Sequence, residues 1–152
     1  CRVTIYRRLC YNSLSIYATQ IESNPKLLVH TALNLTMTAS QRTSKMMRKL
    51  AKNNILSPKE GVAMADCIEE ISDSVDELNK SIGELGHINT SNFALTVSDI
   101  QTWVSAALTD DGTCMDGVTE VGMNIYLKNL ISKHIVKVAH LTSNALALVN
   151  NY

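Results

Sequence analysis

Apolar residues recur at Met64, Ile68, Ile71, Val75, Leu78, Ile82 and Leu85, stepping alternately by four and three. Only an α-helix gathers positions at that spacing onto one side; a strand would need alternation every second residue. A seam this long cannot be covered by its own helix, so the chain must supply partner helices to bury it.

Other segments read as those partners. Ser23-Asn24-Pro25 offers a polar cap followed by Pro in the first turn. From Lys26 to about Lys52, Leu28, Ala32, Leu35, Ala39, Met46 and Leu50 recur at heptad-like spacing. Asn53-Asn54 ends that helix, and Ser57-Pro58-Lys59-Glu60 opens the next with a capping-box pattern. Gly83, Gly86, His87 and Asn89 mark the fraying end of the central helix. A third helix, capped by Thr90 or Ser91, is expected to run to about Thr109, with Asp110-Asp111-Gly112 as a turn. A short helix should follow Cys114 and break near Gly122. The last helix should run from about Asn124 to Val149, its seam formed by Leu127, Leu130, His134, Val138, Leu141, Ala145 and Leu148. Ahead of all these lies a short N-terminal segment, helical over Tyr11 to Glu22. Long amphipathic helices joined by short loops predict an all-α, up-and-down antiparallel four-helix bundle. The expected division is an N-terminal segment over 1–24 and the bundle over 25–152, one domain in all.

Composition agrees. Apolar residues make up 45% of the chain, and only two Pro and six Gly interrupt it. The formal net charge is zero, which gives no argument for nucleic acid or an anionic membrane as partner. No run approaches the roughly 20 apolar residues of a transmembrane helix. A chain starting at Cys1 reads as processed or truncated.

Four cysteines, an even number, suggest disulfides and an oxidising compartment. Cys1, Cys10, Cys67 and Cys114 contain no C-x-x-C and no zinc-like spacing, and sequence alone allows three pairings. Neither the four histidines nor any nucleotide, phosphate or nucleophile motif supports catalysis, a metal or another cofactor. His134, on an apolar seam, reads as a core or boundary residue, and the scattered methionines as packing. Asn34-Leu35-Thr36 and Asn89-Thr90-Ser91 fit the glycosylation sequon, with Asn89, near a helix end, the better candidate.

Zero net charge conceals two opposed blocks. Residues 42–59 carry six bases and no acid; residues 66–77 carry six acids and no base. Glu69, Asp73 and Asp76 sit at i, i+4 and i+7, an acidic stripe expected beside the apolar seam. Like charges at this spacing oppose the helix slightly, so its own stability does not explain them. The stripe is a solvated face, a pairing surface for the neighbouring basic helix, or a docking surface for a basic partner.

The motifs together narrow the choice. Cys1-x-x-Thr4-x-Tyr6-x-x-x-Cys10 opens the chain, and Asp66-Cys67 precedes the acidic heptads. Trp103-Val104-Ser105-Ala106-Ala107-Leu108-Thr109 precedes Thr113-Cys114, and Leu141-Thr142-Ser143-Asn144-Ala145-Leu146-Ala147-Leu148 closes it. In this combination the chain resembles the plant pectin methylesterase inhibitors, within the family shared with invertase inhibitors. The resemblance implies a four-helix bundle with disulfides Cys1–Cys10 and Cys67–Cys114. It also implies a secreted protein of the apoplast and cell wall that binds pectin methylesterase one to one and covers its pectin-binding cleft, with no chemistry of its own. Carried over by position, Glu69, Asp73, Asp76, Thr113 and Asp116 would face the enzyme. The family often has Pro where this chain has Arg7, and its N-terminal helical hairpin, which begins before the first cysteine, is largely missing here. That hairpin mediates dimerisation in some members, so a monomer or weak dimer is expected. The Pro-Lys-Phe motif of invertase inhibitors does not occur, which favours the methylesterase over the alternative target, acid invertase. A further alternative is the inhibitor-like pro-region of a pectin methylesterase.

Overall fold

The computed structural model describes residues 1–152 and is all-helical. Four long helices, α3 (Pro25–Asn53), α4 (Pro58–Gly86), α5 (Phe93–Glu120) and α6 (Ile125–Asn150), follow a shorter N-terminal set. That set comprises α1 (Arg7–Leu14), one 3₁₀ turn (Ser15–Tyr17) and α2 (Ala18–Ile21). The long helices pack in sequence order and the ring closes where α3 meets α6, giving the expected up-and-down bundle.

Local chemistry sets the helix starts. Asn24 Oδ1 accepts from the Lys26 and Leu27 amides ahead of Pro25, and Ser57 and Glu60 form a reciprocal capping box on α4. Glu60 does more than cap: its second oxygen accepts from the Asn124 amide at 3.2 Å, joining the start of α4 to the start of α6. Those backbone donors hold its carboxyl below the usual carboxylate range. The α5–α6 turn uses Gly122 at φ 63, the left-handed region that glycine enters without a Cβ clash.

Three expectations are corrected. The Asp110-Asp111-Gly112 turn does not exist: α5 runs unbroken from Phe93 to Glu120. Its buried positions, Ile100, Val104, Ala107, Asp111, Cys114 and Val118, keep helical spacing straight through the supposed break. Burying Val118 and anchoring Cys114 outweigh a helix penalty of about 1 kcal/mol at the exposed Gly112. Helix α5 starts at Phe93 without a side-chain cap from Thr90 or Ser91; Asn89 instead folds the loop, accepting from the Ser91 and Asn92 amides. The N-terminal helix begins at Arg7 rather than Tyr11 and breaks at Ser15–Tyr17.

The α4 seam keeps its period but rotates slightly. Met64, Ile71, Leu78 and Leu85 are fully buried, and Cys67, Ser74 and Ser81 complete the line, leaving Ile68, Val75 and Ile82 half-buried at its edge. On α3 the shift is larger. Val29, Leu33, Thr36, Ser40, Thr43, Ser44 and Met47 face inward with Ala32, whereas Leu28, Leu35, Ala39, Met46 and Leu50 are half-buried. Small hydroxyl residues can occupy these inward positions because each can donate to the carbonyl one turn back, as Thr36 does to Ala32 and Ser40 to Thr36. On α6, His134 takes the boundary position expected of it.

Both disulfides implied by the resemblance are present. Cys1–Cys10 closes a loop in which the buried Thr4 hydroxyl donates to the Cys1 carbonyl at 2.7 Å. The loop is then fastened to α6. Asn144, buried, donates to the Tyr6 carbonyl and accepts from the Tyr6 amide, while the Tyr6 ring stacks on His140 with centroids 3.6 Å apart. Thr4 and Tyr6 of the first motif and Asn144 of the last are therefore parts of one joint.

Candidate functional site

The acidic residues lie along the α4–α5 pair, which Cys67–Cys114 locks together. Glu69, Asp73 and Asp76 are all exposed, as are Thr113 and Asp116 on α5. The stripe lies opposite the buried seam rather than beside it, because at 3.6 residues per turn Asp73, nine residues after Met64, falls about half a turn round the helix from it. Glu70 and Glu77, half-buried, occupy the flank between stripe and seam.

The predicted residues do not form one patch. Asp73 leans toward α5: with Glu77 it raises the carboxyl of Asp110, after the larger effect of partial burial. Glu70 is raised as well, first by desolvation and then by Asp66, Asp110, Glu69 and Asp73. Asp76 lies on the other flank, lining a groove of about 590 Å³ with Lys45 and Arg48 of α3. Thr113 and Asp116 continue outward along α5 from Asp110. The Thr113 hydroxyl donates to the Thr109 carbonyl at 2.9 Å, so it offers a partner its lone pairs.

The basic helix does not neutralise this face. Arg48 donates to Ser72 Oγ rather than to a carboxylate, and the one ion pair in the chain joins Glu77 to Lys80 at 3.8 Å within α4. The Glu69, Asp73 and Asp110 side of the face therefore keeps uncompensated negative charge, while Asp76 shares its groove with Lys45 and Arg48. Asp110 belongs to this face and was missed because the sequence reading placed it in a turn. The spacing of Val104, Ala107, Asp111 and Cys114 was the clue that α5 continued.

Beneath the face lies Asp111, fully buried. Its Oδ2 accepts from Thr142 Oγ1 of α6, while Oδ1 has no partner and neither does the buried Ser74 hydroxyl of α4. Burial pushes this carboxyl up to about 7, assisted by Asp110 and opposed chiefly by the bond from the Thr142 hydroxyl, which favours the charged form. Such a group packs as the neutral acid at acidic pH.

Cys67, Glu70 and Cys114 lie within 4.8 Å of one another, but both cysteines are spent in the disulfide and cannot ligate a metal. Asn89 lies in the exposed α4–α5 loop, and Asn34 in the middle of α3 with its side chain exposed.

The family profile described as plant invertase/pectin methylesterase inhibitor matches residues 1–148. The chain is 50% identical over 155 aligned positions to pectinesterase inhibitor 10 of Arabidopsis thaliana, covering all of this chain and 49% of that protein. It is 43% identical to the 21 kDa protein of Daucus carota, covering 80% of it. The chain thus spans about half of the first relative and four fifths of the second. A crystal structure of a mutant form of a pectin methylesterase inhibitor from Arabidopsis superposes with a TM-score of 0.77 at 21% identity, covering 99% of this chain and 92% of that one. At that identity the superposition bears on the fold.

Proposed function

The chain belongs to the plant invertase/pectin methylesterase inhibitor family, and from that premise we propose that it inhibits a plant pectin methylesterase, binding one to one and occluding the pectin-binding cleft. What carries the reading is the likeness, along the whole chain, to a protein named as a pectinesterase inhibitor. The exposed acidic face supplies the means. Glu69, Asp73, Asp76, Thr113 and Asp116 would contact the enzyme, with Glu70 and Asp110 adding to the local charge. Uncompensated charge on a rigid, disulfide-locked helix pair steers a basic partner and costs little ordering on binding. Two disulfides fit an extracellular site of action, in the apoplast and cell wall. No helix is long and apolar enough to cross a membrane.

The test is titration of the purified, oxidised protein against a plant pectin methylesterase, with a plant acid invertase in parallel. Stoichiometric loss of esterase activity with invertase untouched is the expected result. Loss of invertase activity alone would move the protein to the sister class and discard the role given to the acidic face.

A further inference from the structure

The bundle carries a second, oppositely charged feature on its other side. A groove of about 620 Å³ runs between the N-terminal helices, α3 and α6, and its lining contains His30, Arg42 and Lys137 but no acid. All three are exposed, and neither Arg42 nor Lys137 has an ion-pair partner. His30 and Arg42 are twelve residues apart on α3, about 18 Å along its axis. Arg42 and Lys137 carry the fixed positive charge of the groove, and a lining of that length suits an extended acidic ligand rather than a single small anion.

The uncharged lining narrows the class. Ser13, Thr31 and Thr38 reach the groove, but each hydroxyl hydrogen is already donated to a helix carbonyl: Leu9, Leu27 and Asn34 respectively. These groups therefore present lone pairs, which repel a carboxylate and accept from a ligand's own hydroxyls. Asn12 and Gln20 supply both donors and acceptors, and Tyr17 an aromatic face for C–H groups. We infer that this groove binds an acidic oligosaccharide, with cations taking its carboxylates and lone pairs taking its hydroxyls. The carboxylated polymer left by ester hydrolysis of pectin is of this class. Because α4–α5 and the α3–α6 seam lie on opposite sides of the ring, the protein could hold an enzyme on one face and de-esterified polymer on the other. The inference stands on the groove alone and does not depend on the proposed inhibition.

The test is calorimetric titration of the unglycosylated full chain with a short oligogalacturonate of defined length, beside its fully methyl-esterified form and a poly-glutamate of equal charge. Binding of the free acid, with at least about tenfold weaker binding of the ester and the peptide, is expected. Arg42→Glu with Lys137→Glu, both exposed, should weaken binding about tenfold or more at unchanged melting temperature and unchanged inhibition of the esterase. Equal binding of the peptide, equal binding of the ester, no binding of the free acid, or full binding by the double variant would each overturn the assignment. If the double variant does not fold, Arg42→Gln alone carries the same comparison.

Discussion

Asp111 Oδ2 and Thr142 Oγ1 meet at 3.0 Å in the middle of the bundle, both residues fully buried. They belong to a polar belt, with Thr36, Ser40 and Ser74, that separates two hydrophobic clusters, one toward each end of the bundle. An acid in that belt makes stability depend on pH. Its folded-state pKa is raised from 3.8 to about 7, so between those values the folded state holds a proton that the unfolded state has released. Stability is therefore greatest in acid and falls as pH rises toward 7, by at most about 4 kcal/mol. Glu70 and Asp110, also raised, act in the same direction, whereas Glu60, lowered, acts in the other. Urea midpoints should fall between pH 4 and 7, and Asp111→Asn should flatten most of that slope. An equally steep slope in the variant would mean that another group carries it.

The rotated α4 seam predicts unequal costs for two isoleucines that look equivalent in the sequence. Ile71 is fully buried and Ile68 only partly so. Ile71→Ala should cost about 2–5 kcal/mol, through lost transfer energy and the cavity left behind. Ile68→Ala should cost less than half as much, because its edge position can be re-solvated. Equal losses in a denaturant melt would show that the heptad reading, not the packing, describes this helix.

How much of this was legible in the sequence depends on what kind of residue carried the information. Caps and large apolar seams were readable, because Asn24, the Ser57–Glu60 box and the Met64–Leu85 run each have one physical interpretation. The break at Asp110-Asp111-Gly112 was misread, because an Asp-Asp-Gly run in isolation favours a turn. Only tertiary burial of Asp111 and the tie from Cys114 to Cys67 override it. The α3 register was misread for a related reason: Thr36, Ser40 and Ser44 look like surface residues until their hydroxyls are paired within the helix or set against a polar layer. The acidic stripe was visible as a pattern, but its division between Asp73 and Asp76 is a property of the neighbours, α5 and α3.

The N-terminal joint makes a separate prediction. Asn144 satisfies both the amide and the carbonyl of Tyr6, and no other side chain is placed to do so. Asn144→Leu keeps the volume roughly constant but leaves the part-buried Tyr6 amide unpaired, a cost of about 1–3 kcal/mol, while the Tyr6 carbonyl keeps its bond from the Cys10 amide at 2.9 Å. The loss should be local. Hydrogen exchange at the amides of Tyr6 and Cys10 should accelerate while that of α4 and α5 does not. Uniform acceleration across the bundle would make the joint part of the global folding unit.

Charge reversal tests the acidic face most directly. Asp73 sits among like charges near Glu70 and Asp110, so Asp73→Lys removes repulsion and should leave melting unchanged or slightly higher. Asp76→Lys brings a third cation to a groove already lined by Lys45 and Arg48, and should lower melting slightly. Both should weaken inhibition of the esterase, together by about tenfold or more, chiefly through a slower association rate that converges with wild type as salt is raised. Stopped-flow association at two ionic strengths separates this from a general loss of structure. If affinity is unchanged in the double variant, the enzyme is held elsewhere. If dissociation rather than association changes, the carboxylates are buried in the complex as contacts rather than acting from its rim.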